Sequence, residues 1–136
     1  MAARKSERVL VEEWRAMLAL HARTVGELDR VLDRHGLGAS DFEVLDILAE
    51  GAVGADGGDA SCLRVQEIAS RVHLSQSALS RLVARLEKEG LVRRAMCAED
   101  RRGVRVELTD AGRNCHAEAR PLQREVLSRM LNGTGG

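Results

Sequence analysis

The chain has 136 residues, a length typical of one domain with a modest hydrophobic core. Its 21 basic and 21 acidic side chains balance, and Trp14 and Phe42 are its only aromatic residues, so the core must consist of aliphatic side chains. No apolar run approaches membrane-spanning length. The three cysteines show no metal-site spacing and no signal peptide precedes them, which favours a reducing cytoplasm over a disulfide framework.

The neutral total conceals an uneven distribution of charge. Residues 64–105 contain ten basic and five acidic side chains, a net charge of +5. The remaining residues contain eleven basic and sixteen acidic side chains, a net charge of −5. A basic middle between acidic ends is typical of a local surface for nucleic acid.

The first predicted element is a long helix over residues 6–35, ended by the glycines of residues 36–38. Apolar residues recur along it at helical spacing. They are Val9, Leu10, Trp14, Met17, Leu18, Val25, Leu28, Val31 and Leu32. A helix of roughly 45 Å outruns a domain of this size. We therefore expect it to pack against a second copy of the chain.

A capping box predicts the start of the second helix. Ser40 is the expected N-cap and Glu43 the expected N3 residue. The apolar stripe that follows includes Phe42 and ends near Gly51. Residues 51–61 are rich in glycine but lack a phosphate-binding pattern, which predicts a flexible spacer.

Residues 62–90 predict a helix-turn-helix. A short strand over residues 62–65 precedes a short helix over residues 66–72. His73 occupies a turn position that needs a left-handed residue, a conformation that histidine tolerates. Ser75 is the expected N-cap of the next helix, and Gly90 is its expected left-handed C′ residue.

The outer face of this second helix has the composition of a DNA recognition surface. It carries small hydroxyls and arginines, and no carboxylate before Glu87. Small polar side chains allow close approach to base edges, and arginine binds guanine or phosphate. The predicted DNA-contacting residues are Ser75, Gln76, Ser77, Ser80, Arg81 and Arg85. Taken alone, the pattern also fits an ordinary solvated amphipathic helix.

The remaining elements predict a wing and a terminal pair of helices. Residues 91–96 and 104–108 are strand-like and flank a charged hairpin tip, so the whole is a winged helix-turn-helix. Thr109 caps a helix from Asp110, and Pro121 is expected to begin another, followed by a disordered tail. The fold class is mainly α with a small β-hairpin. We expect an N-terminal dimerisation helix over 1–36, a DNA-binding lobe over 37–108, and C-terminal dimerisation helices over 109–136.

From about residue 10 to 131, the sequence resembles the MarR family of bacterial transcriptional regulators. Three segments before the wing carry the likeness: Leu-Gly-Ala-Ser-Asp-Phe-Glu-Val-Leu (37–45), Ile-Ala-Ser-Arg-Val-His-Leu-Ser (68–75) and Leu-Ser-Arg-Leu-Val-Ala-Arg-Leu-Glu-Lys-Glu-Gly-Leu-Val-Arg-Arg (79–94). The most specific part is Asp-Arg-Arg (100–102) followed by Val-Glu-Leu-Thr-Asp-Ala-Gly (106–112). Each motif is weak alone, and their order and spacing make the signal specific.

The resemblance implies an obligate homodimer whose N- and C-terminal helices intertwine and present two winged helices to a pseudopalindromic DNA site. It also implies that a wing arginine enters the minor groove while Asp100 pairs with it. Arg101 and Arg102 both fit by type, and Arg102 better matches the family's Asp-x-Arg tip. A narrow minor groove concentrates negative potential, which suits an arginine. A solvated charged turn is the alternative.

Members of the family commonly release DNA when a small phenolic or anionic effector binds between the dimer helices and the DNA-binding lobe. By analogy, a pocket here would use Trp14, Arg15, His21 and Phe42, with Met17 and Leu18 beside them. Arg15 would pair with a carboxylate and His21 would donate a hydrogen bond. The same apolar residues also fit a plain core, and the absence of tyrosine disfavours a stacked aromatic pocket.

Other functions are weaker alternatives. Cys62, before the helix-turn-helix, and Cys97, at the base of the wing, are redox candidates because both are expected to be exposed. A thiolate of Cys97 near the wing arginines would have a low pKa. The cysteine that the family's redox branch has in the first helix is missing. No metal-ligand spacing, cofactor motif or catalytic arrangement is present. We therefore predict a cytoplasmic, ligand-responsive repressor that binds double-stranded DNA as a homodimer. The alternatives are a redox-sensing regulator, and a winged helix used only for protein–protein contact.

Overall fold

The structure is a computed structural model that describes residues 4–53, 63–95 and 105–132. Within those ranges the chain forms five α-helices and three short strands. They are α1 (Glu7–Leu32), α2 (Ala39–Val53), β1 (Leu63–Arg64), α3 (Val65–Val72), α4 (Gln76–Lys88), β2 (Val92–Ala95), β3 (Arg105–Leu108) and α5 (Asp110–Asn132). The predicted class, a mainly helical winged helix with a small antiparallel sheet, is confirmed.

The long first helix is confirmed, with a tighter final turn than predicted. Ser6 is its N-cap, and the Ser6 hydroxyl accepts a hydrogen bond from the backbone N–H of Val9 at 3.2 Å. The last predicted turn is a 3₁₀ turn over Asp33–His35. Gly36 follows with φ of +71°, a left-handed conformation that glycine adopts without strain, and so ends the helical run.

The predicted capping box at the start of α2 is wrong. The helix begins at Ala39, one residue before Ser40. The backbone N–H groups at its start donate hydrogen bonds to aspartate side chains. Gly38 N–H donates to Asp41 Oδ2 at 2.7 Å, and Ala39 N–H donates to Asp29 Oδ1 at 2.8 Å. The acceptor from Asp29 belongs to α1, so a local motif search could not have found it. Glu43 instead accepts a hydrogen bond from Gln123 of α5.

The three strands form one antiparallel sheet in the order β1-β3-β2. The predicted wing strands pair with Val92 opposite Leu108, and the short predicted strand pairs on the other edge with Leu63 opposite Val106. Val106 and Leu108 point into the core, in agreement with the alternating pattern of this strand.

The prediction that Pro121 begins a separate helix is also wrong. A single helix, α5, runs from Asp110 to Asn132 with Pro121 inside it. Proline removes one N–H donor and crowds the preceding turn, but burial of Ala119, Gln123 and Val126 on either side favours a continuous helix. The predicted cap is confirmed, because Gly112 N–H donates to the Thr109 hydroxyl at 3.0 Å.

The core of the described residues lies where α2, α3, α4 and the sheet meet the second half of α1 and the middle of α5. Its fully buried side chains include Leu32, Phe42, Val44, Leu45, Leu48, Ile68, Leu79, Val83, Leu86, Val92, Val106 and Leu108. No helix within the described ranges is both long and apolar enough to cross a membrane.

Helices α1 and α5 run antiparallel. Glu27 pairs with Arg129 at 3.2 Å, and His35 lies 3.7 Å from Glu118, so rising numbers in α1 meet falling numbers in α5. Hydrogen bonds from Arg30 and Arg129 lower the pKa of Glu27 to about 2. The Glu27–Arg129 ion pair therefore joins the end of α5 to the second half of α1, and the first half of α1 extends beyond it.

Candidate nucleic-acid interface

The turn between α3 and α4 has the local geometry that the sequence predicts. His73 adopts a left-handed conformation with φ of +60°, and its N–H donates to Ala69 O at 3.0 Å. Ser75 caps α4, because its hydroxyl accepts a hydrogen bond from Ala78 N–H at 3.1 Å. The two helices thus form a helix-turn-helix in which the start of α4 is exposed.

Helix α4 has two chemically distinct faces. Leu79, Val83 and Leu86 are buried against the core. The exposed side chains of its outer face are Ser75, Gln76, Ser77, Ser80, Arg81, Ala84, Arg85 and Lys88. The first turn contains no acidic residue, so the positive end of the helix dipole adds to the charge of Arg81. A surface of this kind attracts phosphate and allows a close backbone approach.

The far end of α4 is attached to the start of α5. Gly90 has φ of +80°, and Gly90 and Leu91 donate to the carbonyls of Glu87 and Leu86, each at 3.0 Å, which confirms the predicted glycine stop. The Thr109 hydroxyl donates to Gly90 O at 2.6 Å.

Gly112 allows the first turn of α5 to approach the backbone of Leu91 closely. A Cβ on Gly112 would lie 2.0 Å from Leu91 O, so only glycine allows the first turn of α5 to pack here.

The sequence predicts that Arg85 contacts DNA, but in the structure Arg85 pairs with a side chain of its own chain. Its guanidinium forms an ion pair with the buried carboxylate of Asp41 at the start of α2, and Nη1 lies 3.8 Å from Glu89. About half of the Arg85 side chain remains exposed. Arg81, one turn earlier, is exposed as predicted.

The base of the wing is basic and internally paired. Arg93 of β2 pairs with Glu107 of β3 at 2.5 Å, and Arg94 pairs with Glu87 at 3.2 Å. These pairs hold the two wing strands to each other and to the end of α4. The predicted tip residues Asp100, Arg101 and Arg102 lie outside the described residues.

The four residues predicted to bind an effector do not lie together within one chain. Trp14, Arg15 and His21 are exposed on α1, and Trp14 retains 56% of its accessible surface. Phe42 is fully buried, and its ring stacks on His116 with 5.3 Å between centroids. Phe42 therefore belongs to the core of the single chain.

A polar cluster that the sequence reading missed lies between α2 and α5. The buried carboxylate of Asp46 is 2.7 Å from His116 Nε2, and Arg124 donates to both of its oxygens at 3.1 Å. Arg124 also lies over the Phe42 ring, with Cζ 5.9 Å from the centroid. The available signal was Asp46 itself, because an aspartate between Leu45 and Ile47 in a buried stripe requires a cationic partner.

The redox candidates Cys62 and Cys97 lie outside the described residues. Cys115 is half-buried on α5, and burial, followed by the charges of Glu118 and Glu89, raises the pKa of its thiol. A raised pKa disfavours the reactive thiolate, so Cys115 does not fit a redox sensor. In the parts of the chain that the structure describes, no three metal-ligating side chains come together.

The first half of α1 carries an exposed apolar face. Its exposed members are Val9, Leu10, Val11, Trp14, Met17 and Leu18. Leu131, near the end of α5, is also exposed. Large apolar side chains grouped in this way typically mark a surface for another protein chain.

The helix-turn-helix, the sheet beside it and the basic outer face of α4 together define a winged helix-turn-helix protein. Comparisons with known proteins show which winged helix-turn-helix proteins this chain is similar to. The model of the MarR family matches residues 58–104. The structure of Sco3205 from Streptomyces coelicolor, a MarR family transcriptional regulator in complex with DNA, is similar, with 29% identity and a TM-score of 0.78 over 97% of this chain and 79% of that one.

Two further solved structures of transcriptional regulators are also similar to this chain. AbsC, a MarR family transcriptional regulator from Streptomyces coelicolor, has 26% identity and a TM-score of 0.78 over 97% of this chain and 84% of that one. The transcriptional regulator BldR from Sulfolobus solfataricus has 26% identity and a TM-score of 0.77 over 95% and 86%. The chain is thus similar to MarR family transcriptional regulators, in sequence over residues 58–104 and in fold over nearly its whole length, in agreement with its motifs.

Proposed function

We propose that the chain is a repressor that binds a pseudopalindromic operator as a homodimer and occludes a promoter. The observation that carries the proposal is the outer face of α4. Its first two turns combine exposed Ser77, Ser80 and Arg81 with the positive end of the helix dipole and no carboxylate. A helix serving only protein–protein contact has no need of this composition.

The homodimer is supported by the exposed apolar face of α1. A symmetric pair of chains would bury Trp14, Met17 and Leu18 of each copy, and the two α4 helices would then face one DNA duplex. A DNA-binding regulator must reach the chromosome, so a cytoplasmic location is part of the proposal. In the Sco3205 structure, the protein is bound to DNA.

Within α4, the residues proposed to contact DNA are Ser75, Gln76, Ser77, Ser80 and Arg81. In the wing they are Asp100, Arg101 and Arg102. The recognition helix would read base edges in the major groove, and the wing arginine would enter the minor groove. Arg85 is not in this set because its guanidinium pairs with Asp41.

Effector and redox control are separate parts of the proposal. An effector site that uses Trp14, Arg15 and His21 requires walls from a second copy, because these side chains are exposed on α1 of a single chain. Phe42 is not part of this proposed site because it is buried in the core.

Redox control would act through Cys62 or Cys97 and would make DNA binding depend on reductant.

A fluorescence-anisotropy titration tests the proposal. Labelled DNA from upstream of the chain's own gene is compared with a random duplex at several salt concentrations, with and without reductant. We expect selective, salt-sensitive binding to the upstream DNA. Arg81→Ala and Arg102→Ala should each weaken it by roughly 1–3 kcal/mol, whereas Arg120→Ala, on the exposed side of α5, should not. Absence of binding to either duplex at low salt would favour the protein-interaction alternative.

A further inference from the structure

Asp41 is a buried carboxylate with two different partners. It lies in the first turn of α2 and retains only 5% of its accessible surface. Its Oδ2 accepts the N–H of Gly38 at 2.7 Å, and its Oδ1 faces the guanidinium of Arg85. A carboxylate out of water requires both hydrogen bonds and a countercharge, and Arg85 is the cation that supplies the charge here.

The corner between α1 and α2 extends this contact to the first helix. Asp29 of α1 accepts the N–H of Ala39 at 2.8 Å. A Cβ on Gly38 would lie 3.3 Å from Asp29 Oδ1 and 3.4 Å from Asp41 Oδ2, so the backbone passes tightly between the two carboxylates. A continuous set of polar contacts therefore runs from Arg85 on α4 to Asp29 on α1.

Helix α4 is thus held at two points on its length. Its C-terminal end is attached to α5 through Gly90 and Thr109. Arg85, one turn before that end, attaches it to the start of α2. Glu89, which is exposed, also lies near Arg85, with its Oε1 3.8 Å from Nη1. Attachment to two different elements fixes the orientation of α4 relative to them, which a single attachment point could not do.

We propose that Arg85 is a positioning residue rather than a DNA contact. Its ion pair with Asp41 sets the angle between the recognition helix and the α1–α2 corner, and thereby the distance between the two recognition helices of a dimer. The inference rests on the proposed function, because the readout is operator binding. It predicts that loss of a negative charge near the DNA-binding face weakens specific binding.

The predicted change in operator affinity is opposite to the change that net charge alone would cause. Removal of the Asp41 charge increases the net positive charge near DNA, which on its own strengthens binding to any duplex. If Asp41 positions α4 through Arg85, affinity for the operator falls while affinity for random DNA is unchanged or rises. Asp41→Asn suits the test because its amide oxygen can still accept the Gly38 N–H.

The experiment compares full-length Asp41→Asn, Arg85→Gln and the double variant with Arg81→Gln as the matched control on the same face. Operator and random duplex are titrated at several salt concentrations. We expect Asp41→Asn and Arg85→Gln each to lower operator affinity about tenfold, and the double variant to lose no more than either single variant. The slope of log K against log salt should stay unchanged for Arg85→Gln and fall by about 1 for Arg81→Gln.

The inference is overturned if Arg85→Gln reduces the salt slope as Arg81→Gln does, or if Asp41→Asn leaves operator binding unchanged or tightens it. Urea unfolding of the same four variants gives a second double-mutant cycle that does not depend on DNA. Coupling between Asp41 and Arg85 in unfolding, in a wild-type chain that binds no duplex, would mean that the ion pair exists but the proposed function fails. Absence of coupling, in a wild-type chain that does bind, would refute only the positioning role.

Discussion

The two halves of α1 share one helix and one apolar spacing, yet they have different surroundings. In the second half, Thr24, Leu28 and Leu32 are buried, and Glu27 is bonded to Arg129 of α5. In the first half, Trp14 and Met17 retain 56% and 59% of their accessible surface. About 20 Å of apolar helix thus lies beyond the end of α5.

The difference shows that helical periodicity identifies the face that needs a partner but not the partner itself. In the second half of α1 the partners are α5 and the core of the same chain. In the first half the chain offers none among its described residues, and exposure of large apolar side chains in water is unfavourable. A second copy of the chain is the partner that we propose.

The largest effect should come from a charge on the exposed face. Leu18→Glu places a carboxylate where the proposed dimer buries a leucine, and the change occurs in both copies. Since each buried leucine is worth roughly 1.5–3 kcal/mol, the dimer dissociation constant should rise by at least about 100-fold. Sedimentation velocity over a range of concentrations measures this shift.

Ala19→Glu is the matched control for that experiment. Ala19 is exposed, and at about 100° per residue it lies on the side of α1 opposite the apolar face. The same charge at that position should leave the dimer intact. If both variants dissociate equally, or if neither does, the apolar face is not the dimer contact.

Truncation of a leucine in each half of α1 separates folding from association. Leu28→Ala creates a cavity in the core and should reduce the free energy of unfolding by roughly 2–4 kcal/mol at any chain concentration. Leu18→Ala should lower the melting temperature only through the dimer, so its effect should grow with chain concentration. Calorimetry at two concentrations checks both. A concentration-independent loss for Leu18→Ala would mean that Leu18 stabilises the single chain.

A smaller effect is expected from the helix that packs on the second half of α1. Pro121 is exposed inside α5 and cannot donate to the carbonyl of Ala117. Pro121→Ala should restore that hydrogen bond and stabilise the fold by roughly 1–3 kcal/mol, as measured by urea unfolding. A loss of stability would instead mean that a bend at Pro121 is required for α5 to contact α1 and α2.

The smallest expected effect concerns Glu43, between α2 and α5. Burial, followed by the charge of Asp46, raises the pKa of Glu43 in the folded chain. The folded state therefore holds this proton more tightly than the unfolded state, and stability falls as pH rises through the folded pKa. Glu43→Gln keeps an acceptor for Gln123 and should stabilise the chain at neutral pH by at most about 1 kcal/mol.

The pH profile provides the control for Glu43. Below the ordinary glutamate pKa of 4.5, both states are protonated, and the advantage of Glu43→Gln should vanish. Thermal unfolding at acidic and neutral pH measures the difference. An advantage of equal size at both pH values would show that charge is not its cause.

Local signals in the sequence predicted the helix-turn-helix well. A left-handed His73, the Ser75 cap, the Gly90 stop and the Thr109 cap all occur as predicted, because each depends on residues within one turn of chain. The alternating pattern of β3 likewise fixed which side chains are buried. These features position the outer face of α4.

Features that depend on distant residues could not be predicted in the same way. The start of α2 is bound by Asp29 from α1, so the nearby Ser40 motif was misleading. Arg85 faces Asp41, 44 residues away, and an outward position on a helical wheel does not reveal such a partner. Pro121 locally predicted the start of a separate helix, but burial of the residues around it favours one continuous helix.

The most direct test of the account is the number of chains on one operator duplex. Sedimentation velocity of a labelled operator with increasing protein should show one complex with two chains per duplex, and Leu18→Glu should abolish it. Both halves of α1 would then have their partners, one within the chain and one in its copy. A saturated complex with a single chain per duplex, equally tight for Leu18→Glu, would contradict the account.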